Sequence, residues 1–465
     1  MENFWDFNVW GMINLVSVLL LSLLAASMLR KAIPFLRNSL IPTSVLGGAI
    51  LVAIAGVYKL IAKEGMFETA FFGGNGTATL ELITYHCLAL GFIASTFKPS
   101  KGKLTKKRTG EIFNTGVTTV STYLLQGIFG LAISIVAALI VKDFFRAAGI
   151  LLPFGYGQGT GQAMNYGNIY ETEYGFAGGK SFGLTIAALG FLSASIGGVI
   201  HLTILKKRGK IRIADETVLN GQSNTEAADR KMPMKESVDR LTVQIALIFT
   251  AYFLAFLLML GLGALLPGMK SVVFGFNFLL GVLTATLVKL FMNFLRKKNV
   301  LKKEYADAFL MTRASNFFFD LMIVAGIAAI RFSVLERYWG IILIMGAVGL
   351  VVTYIYNRFV AKKLFPDYTE EQFMAMYGML TGTASTGIIL LREIDGNFTT
   401  PAADNLVYQN FPAIVFGFPM MLLATFAPKQ PILTLLILIG FFAVMNVILF
   451  RSRIFKRKQK PETTK

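Results

Sequence analysis

The chemistry most enzymes depend on is nearly missing from this chain. Its 465 residues include one cysteine and two histidines. Cys87 has no partner for an internal disulfide, and it lies in an apolar run, where a free cysteine behaves as a small core residue. His86 and His201 show no spacing that would hold a metal, and His86 reads as a core hydrogen-bonding group. With no nucleophile–base pair and no metal cluster, the chain reads as a non-enzyme that needs no cofactor. Acidic residues are also scarce, at 26 against 45 Lys and Arg, a formal net charge of +19. Polar surface is scarcer still. Charged residues make up 15% of the chain and hydrophobic ones 55%, too little polarity to cover a soluble body of this size.

The apolar residues come in blocks. Runs at 9–29, 43–62, 80–97, 112–141, 183–205, 243–266, 272–294, 314–330, 338–359, 405–427 and 431–450 each approach the length that crosses a bilayer as a helix. The first run lacks the basic start of a cleaved signal and reads as a retained span. The positive charge falls in the loops between runs. Lys98 to Arg108, Lys206 to Arg212, Arg296 to Lys303, Arg358 to Lys363 and the tail from Arg451 to Lys460 all land on one side if the chain crosses at these eleven runs. That is the positive-inside pattern rather than a nucleic-acid surface, and it places the C-terminus in the cytoplasm and the N-terminus outside.

Residues 206–240 are polar, without an apolar face, and read as a cytoplasmic linker between two halves. The expected organisation is a first membrane repeat over 1–205, this linker, a second repeat over 241–428, an extra span at 429–450 and a basic tail at 451–465. Each repeat has five spans and one irregular segment before its last span, at 147–180 and 366–400. These two segments are moderately apolar, rich in Gly, Ser and Thr, and interrupted by Pro. Non-helical backbone at membrane depth is tolerated only where protein buries it or it lines a cavity. Matching interruptions in two halves point to a transporter site. An odd number of spans per half makes the halves inverted. The fold class is therefore an all-α polytopic membrane protein with two inverted five-helix repeats, each carrying a re-entrant loop, plus one C-terminal helix.

The first segment runs Gly155-Tyr-Gly-Gln-Gly-Thr-Gly-Gln-Ala-Met-Asn-Tyr. Its glycines permit tight turns and close approach of a ligand to backbone amides. Gln158, Gly159, Thr160, Gly161 and Asn165 are the substrate-binding candidates, with Gln162 a further uncharged donor. A helix starting near Thr160 would offer free amides to a carboxylate. A nucleotide loop does not fit, since Gly179-Lys180-Ser181 has Tyr174 where a P-loop needs glycine. The second segment gathers Thr381, Thr383, Ser385 and Thr386 beside Gly382 and Gly387. Thr383, Ser385 and Thr386 join the substrate candidates, and Thr381 the cation candidates, because hard cations prefer oxygen ligands. Arg392 could clamp a substrate carboxylate, pair with Glu393 or Asp395, or be a loop charge. Asn316 and Asp320 share a helix face in the eighth span, with Asp320 a cation ligand, a proton carrier or the partner of a neighbouring helix. Gly183, Gly190, Gly197 and Gly198 form a flat stripe for close helix packing.

Four stretches together resemble the bacterial sodium/glutamate symporter family: Ile41-Pro-Thr-Ser-Val-Leu-Gly-Gly, the segment from Gly155 to Tyr166, Tyr174-Gly-Phe followed by Ile196-Gly-Gly, and the eighth span with Ser315-Asn316. The likeness runs from about Leu19 to Ala427. The first loop differs from the family pattern in lacking an adjacent glycine pair and a histidine. The resemblance implies re-entrant loops that meet near mid-membrane, sodium coupling, a glutamate-like substrate and a homodimer in the cell membrane. The expected function is sodium-coupled import of glutamate or a related small carboxylate. A proton- or sodium-coupled carrier of another carboxylate and an ion channel are the alternatives.

Overall fold

The computed structural model describes residues 3–98, 105–209, 238–301, 305–396 and 399–454. Most of the expected linker and the basic tail lie outside these residues. The described chain is helical, with no strand among the described residues. In the first half α1 spans Phe7–Ala32, α2 Thr43–Ala62, α3 Gly76–Phe97, α4 Lys106–Ile140, α5 Leu151–Tyr174 and α6 Gly179–Lys207. In the second, α7 spans Arg240–Leu265, α8 Asn277–Lys297, α9 Ala308–Ala328 and α10 Phe332–Leu364. They are followed by α11 (Thr369–Thr381), α12 (Ala384–Arg392), α13 (Ala402–Tyr408), α14 (Asn410–Phe426) and α15 (Pro431–Leu449).

Ten of the described helices are long and apolar enough to cross a bilayer, and the pair α13–α14, bent by 51°, makes an eleventh. The protein is accordingly a multi-pass membrane protein, and the eleven expected spans each have their helix. The expected span at 272–294 begins later, at Asn277, because a separate short helix (Lys270–Gly275) precedes it. The expected span at 405–427 is the bent pair. Local chemistry sets several starts. Asp239 and Asp307 cap α7 and α9 by accepting two backbone amides each, at 2.8 and 3.3 Å and at 2.8 and 3.0 Å. Pro431 occupies the first turn of α15, where its missing N–H costs nothing. Leu24, Leu60, Leu139, Leu290 and Ile355 are more than half exposed on the outer surface, as lipid-facing residues would be.

Two large apolar cores and one small cluster organise the bundle. One core gathers side chains of α1, α2, α3, α7, α8 and α9, with Met164 of α5 and Leu184 and Phe191 of α6. The other gathers α4, α5, α6 and α10 to α15. The small cluster holds Leu40, Ala361, Phe373, Met374, Tyr377 and Leu390. The helix pairings recur between halves with the partners exchanged: α1 packs on α2 as α7 does on α8, and α2 packs on α9 as α8 does on α3. The α3–α9 and α4–α10 pairs link corresponding helices directly. The helix α15 has no counterpart in the first half. It lies along α4, and its Asn446 accepts a 2.8 Å hydrogen bond from Tyr356 of α10.

Candidate functional site: two broken helices that meet

Both irregular segments are helical hairpins with breaks far shorter than the sequence suggested. In α5 only Gly159 leaves helical geometry, with φ 77° and ψ −169°. That region of backbone space belongs to glycine. Across the break Phe154 and Tyr166 stack with centroids 3.9 Å apart and planes inclined by 8°. A straight helix would hold residues twelve apart at about 18 Å, so the chain folds back at Gly159. In the second segment, Gly382 and Thr383 separate α11 from α12. The two limbs lie so close that a Cβ on Gly378 would come within 2.8 Å of the Gly387 Cα.

The helix α4 measures how each hairpin enters. At its start Lys107 pairs with Asp367 at 3.0 Å, and Thr115 accepts from Gln372 at 3.1 Å. Further along, Gln126 donates to the Leu380 carbonyl at 2.8 Å. The second hairpin thus runs from the N-terminal end of α4 to its middle. From the other end, Ser134 donates to the Arg146 carbonyl at 2.6 Å, Gly130 packs on Gly149, and Tyr123 donates to the Gly157 carbonyl at 2.9 Å. The first hairpin therefore comes in from the C-terminal end. The glycine stripe of α6 is the floor on which both lie. Gly183 packs on the Ala163 backbone, Gly197 on the Tyr377 ring and Gly198 on Leu390, and a Cβ at Gly190 would sit 2.6 Å from the Thr381 carbonyl oxygen. The close-packing role expected for these glycines is met, with the two hairpins as partners.

The breaks touch. A Cβ built on Gly159 would lie 3.2 Å from Thr383 Cγ2 and 3.9 Å from the Gly382 carbonyl oxygen. Around them stand half-buried Gln158, Thr383 and Ser385 and buried Thr160 and Thr386. Thr160 donates a long 3.4 Å hydrogen bond to the Met322 carbonyl of α9, and Thr383 Oγ1 lies 3.4 Å from Thr386 Oγ1. Gly161 faces Leu88 and Met322 of the other core. Buried Thr381 donates to the Tyr377 carbonyl at 2.6 Å, which leaves its oxygen lone pairs free to accept. No charged residue occurs between Pro153 and Ile169 or between Phe373 and Leu391. What charge the site offers is dipolar. Two helix N-termini, at Thr160 and Ala384, and two C-termini, at Gln158 and Thr381, converge on one point.

The remaining candidates lie elsewhere. Asn165 points sideways, donating to Gln162 at 3.0 Å and to the Gly275 carbonyl at 3.1 Å. Arg392 is exposed at the far end of α12, about 12 Å along the helix from the break. Asn316 and Asp320 are exposed on α9, Asp320 beside Ser44 of α2, whereas Met322, which touches the tips, projects from another side of that helix. His86 is exposed on α3 and meets the Tyr252 hydroxyl at 2.7 Å, the satisfied hydrogen bond expected of it, and Cys87 is buried.

Two features escaped the sequence reading. Tyr166, Tyr170 and Tyr174, four residues apart on the returning limb of α5, donate to the Met421, Ala424 and Thr425 carbonyls of α14 at 2.9, 2.6 and 3.2 Å. A polar face of α4, carrying Thr115, Thr119, Thr122 and Gln126, is wholly buried against α10 and α11. Its three- and four-residue spacing was the available signal. Comparison of the chain with known proteins finds no matching family model and no matching curated protein.

Proposed function

We propose that this protein is a secondary transporter that carries glutamate or a related small carboxylate into the cell with sodium. The observation that carries the reading is the meeting of Gly159 with Gly382 and Thr383, brought together from opposite ends of α4. In a bilayer, these hairpins are re-entrant loops from opposite faces, and the exchanged helix pairings are what two inverted five-span repeats produce. The helix starts at Thr160 and Ala384 supply unpaired amides for a carboxylate, assisted by Gln158, Thr383 and Ser385. The carbonyl ends at Gln158 and Thr381 supply partial negative charge for sodium. An anion held by amide dipoles, without a fixed cationic side chain, can be released again, as a carrier requires. The division into two cores supplies the moving parts: one bundle shifts against the other and exposes the tips to each side in turn. The basic loops put the C-terminus in the cytoplasm.

Sodium also answers an electrical requirement. Bringing one negative charge in against 100 mV costs about 2.3 kcal/mol, which one sodium ion cancels and each further ion turns into driving force. The test is uptake of labelled glutamate and other small carboxylates into proteoliposomes under an inward sodium gradient. Uptake that saturates and stops when choline replaces sodium is expected. Equal uptake in choline refutes sodium coupling, and unitary currents without counterflow refute a carrier.

A further inference from the structure

Hydrogen bonding in the buried polar seam beside the second hairpin is lopsided. Gln126, Asn357, Asn405 and Gln409 are all at most 2% exposed, and every one of their amide nitrogens donates to protein. Their four amide oxygens accept nothing from protein. Each such buried acceptor is costly if nothing answers it. For Gln126 and Asn357 the other orientation does not help, because it would set their oxygens against the Leu380 and Thr353 carbonyls. These two amides therefore carry surplus acceptors, and the Ser121 hydroxyl of α4 is also unanswered.

Two of these amides, those of Gln126 and Asn357, share Thr353 as a partner between α4 and α10. Gln126 donates to the Thr353 hydroxyl at 2.8 Å, and Asn357 donates to the Thr353 carbonyl at 2.9 Å and to the Thr122 hydroxyl at 3.4 Å. Both amides are thus anchored on one residue, and both leave an oxygen unanswered. The same Gln126 nitrogen holds the Leu380 carbonyl, next to the Thr381 end of α11. A water can donate to two of these oxygens. A cation, unlike water, calls for acceptors alone, and neutral carbonyl and hydroxyl oxygens can replace its hydration shell.

We propose that Gln126 Oε1, Asn357 Oδ1 and the Thr122 hydroxyl ligate a sodium ion between α4 and α10, beside the tip of the second hairpin and separate from the carbonyl ends at the breaks. The assignment rests on the sodium-coupled reading of the hairpin tips and gives that coupling a second ion. Occupancy fixes the Gln126 amide and, through it, the last carbonyls of α11, so the ion steadies the tip that faces the substrate.

The test uses the purified full chain in detergent, melted in increasing sodium chloride against choline chloride. The wild type is expected to gain stability saturably with sodium. Asn357→Leu and Gln126→Met are expected to weaken the apparent sodium affinity at least tenfold, and Thr122→Val, which keeps the volume and removes only the hydroxyl, to weaken it at least threefold. A sodium response equal to wild type in both Asn357→Leu and Gln126→Met overturns the site, as does one unchanged in Thr122→Val should the other two fail to fold. Uptake separates the two proposals. Sodium-dependent uptake with wild-type sodium response in the variants sinks the site and leaves the carrier. Sodium-independent uptake with a response lost in the variants sinks the coupling and leaves the site.

Discussion

Replacing Gly159 with alanine tests the meeting of the hairpin tips directly. The residue has φ 77° and ψ −169°, a conformation that costs a residue with a Cβ about 1–3 kcal/mol. The new methyl would also lie 3.2 Å from Thr383 Cγ2, tight enough to add about 1 kcal/mol of overpacking. Gly159→Ala is therefore expected to destabilise the protein by about 3 kcal/mol and to cut uptake, since the strain falls where substrate binds. The two contributions separate in a cycle with Thr383→Ser, which removes only Cγ2. In that background the cost of Gly159→Ala should fall by about 1 kcal/mol, a coupling that additive, distant sites do not show. Unfolding in mixed micelles reads the stabilities. Gly261→Ala near the C-terminal end of α7, where a Cβ meets no atom within 4 Å, is the control and should gain about 0.5–1 kcal/mol. If Gly159→Ala melts like wild type, or if its cost is the same with serine at 383, the tips do not meet as described.

Three further outcomes are expected. Glu81 of α3 is buried and binds Lys180 of α6 at 2.6 Å and Arg331 at 3.0 Å, tying the two cores at one end. Glu81→Gln should cost about 2 kcal/mol, less than a fully buried pair because Arg331 is partly exposed, and adding Lys180→Met should recover part of it in the same unfolding assay. Tyr170→Phe removes the 2.6 Å hydrogen bond to the Ala424 carbonyl and should cost about 1–2 kcal/mol, with Tyr174→Phe, whose bond is 3.2 Å, costing less. Burial would raise the carboxyl of Asp395, in the turn after α12, but hydrogen bonds from Thr400 and Thr399, at 2.6–2.9 Å, outweigh it and hold the group below its ordinary value. Its contribution is present above the unfolded value of 3.8 and is lost as pH falls through the lower folded one. Asp395→Asn should flatten the acid limb of the stability profile there, and an unchanged acid limb refutes the assignment.

Much of the architecture was legible because the free energy of placing a helix in lipid is a sum over its own residues. The runs at 43–62 and 431–450 match α2 and α15 almost to the residue. The breaks were legible for a similar reason, since glycine clusters mark backbone that a Cβ would forbid. The sequence overestimated their extent. From 147–180 and 366–400, irregular backbone near the tips shrinks to Gly159 and to Gly382 and Thr383, because neighbouring helices let glycine-rich limbs stay helical in close packing.

The order of apolar runs and glycine-rich stretches alone indicated an all-helical, multi-pass membrane protein interrupted at two segments. Only tertiary structure decided which polar groups share a site. Arg392 and Asp320 looked like ligands by type, yet one stands about 12 Å along its helix from the break and the other faces Ser44. Gln126 and Asn357 looked like ordinary span residues, yet both are anchored on Thr353 and both leave an oxygen unanswered. A side chain's burial and its helix partner depend on residues hundreds of positions away, and no local pattern carries that information.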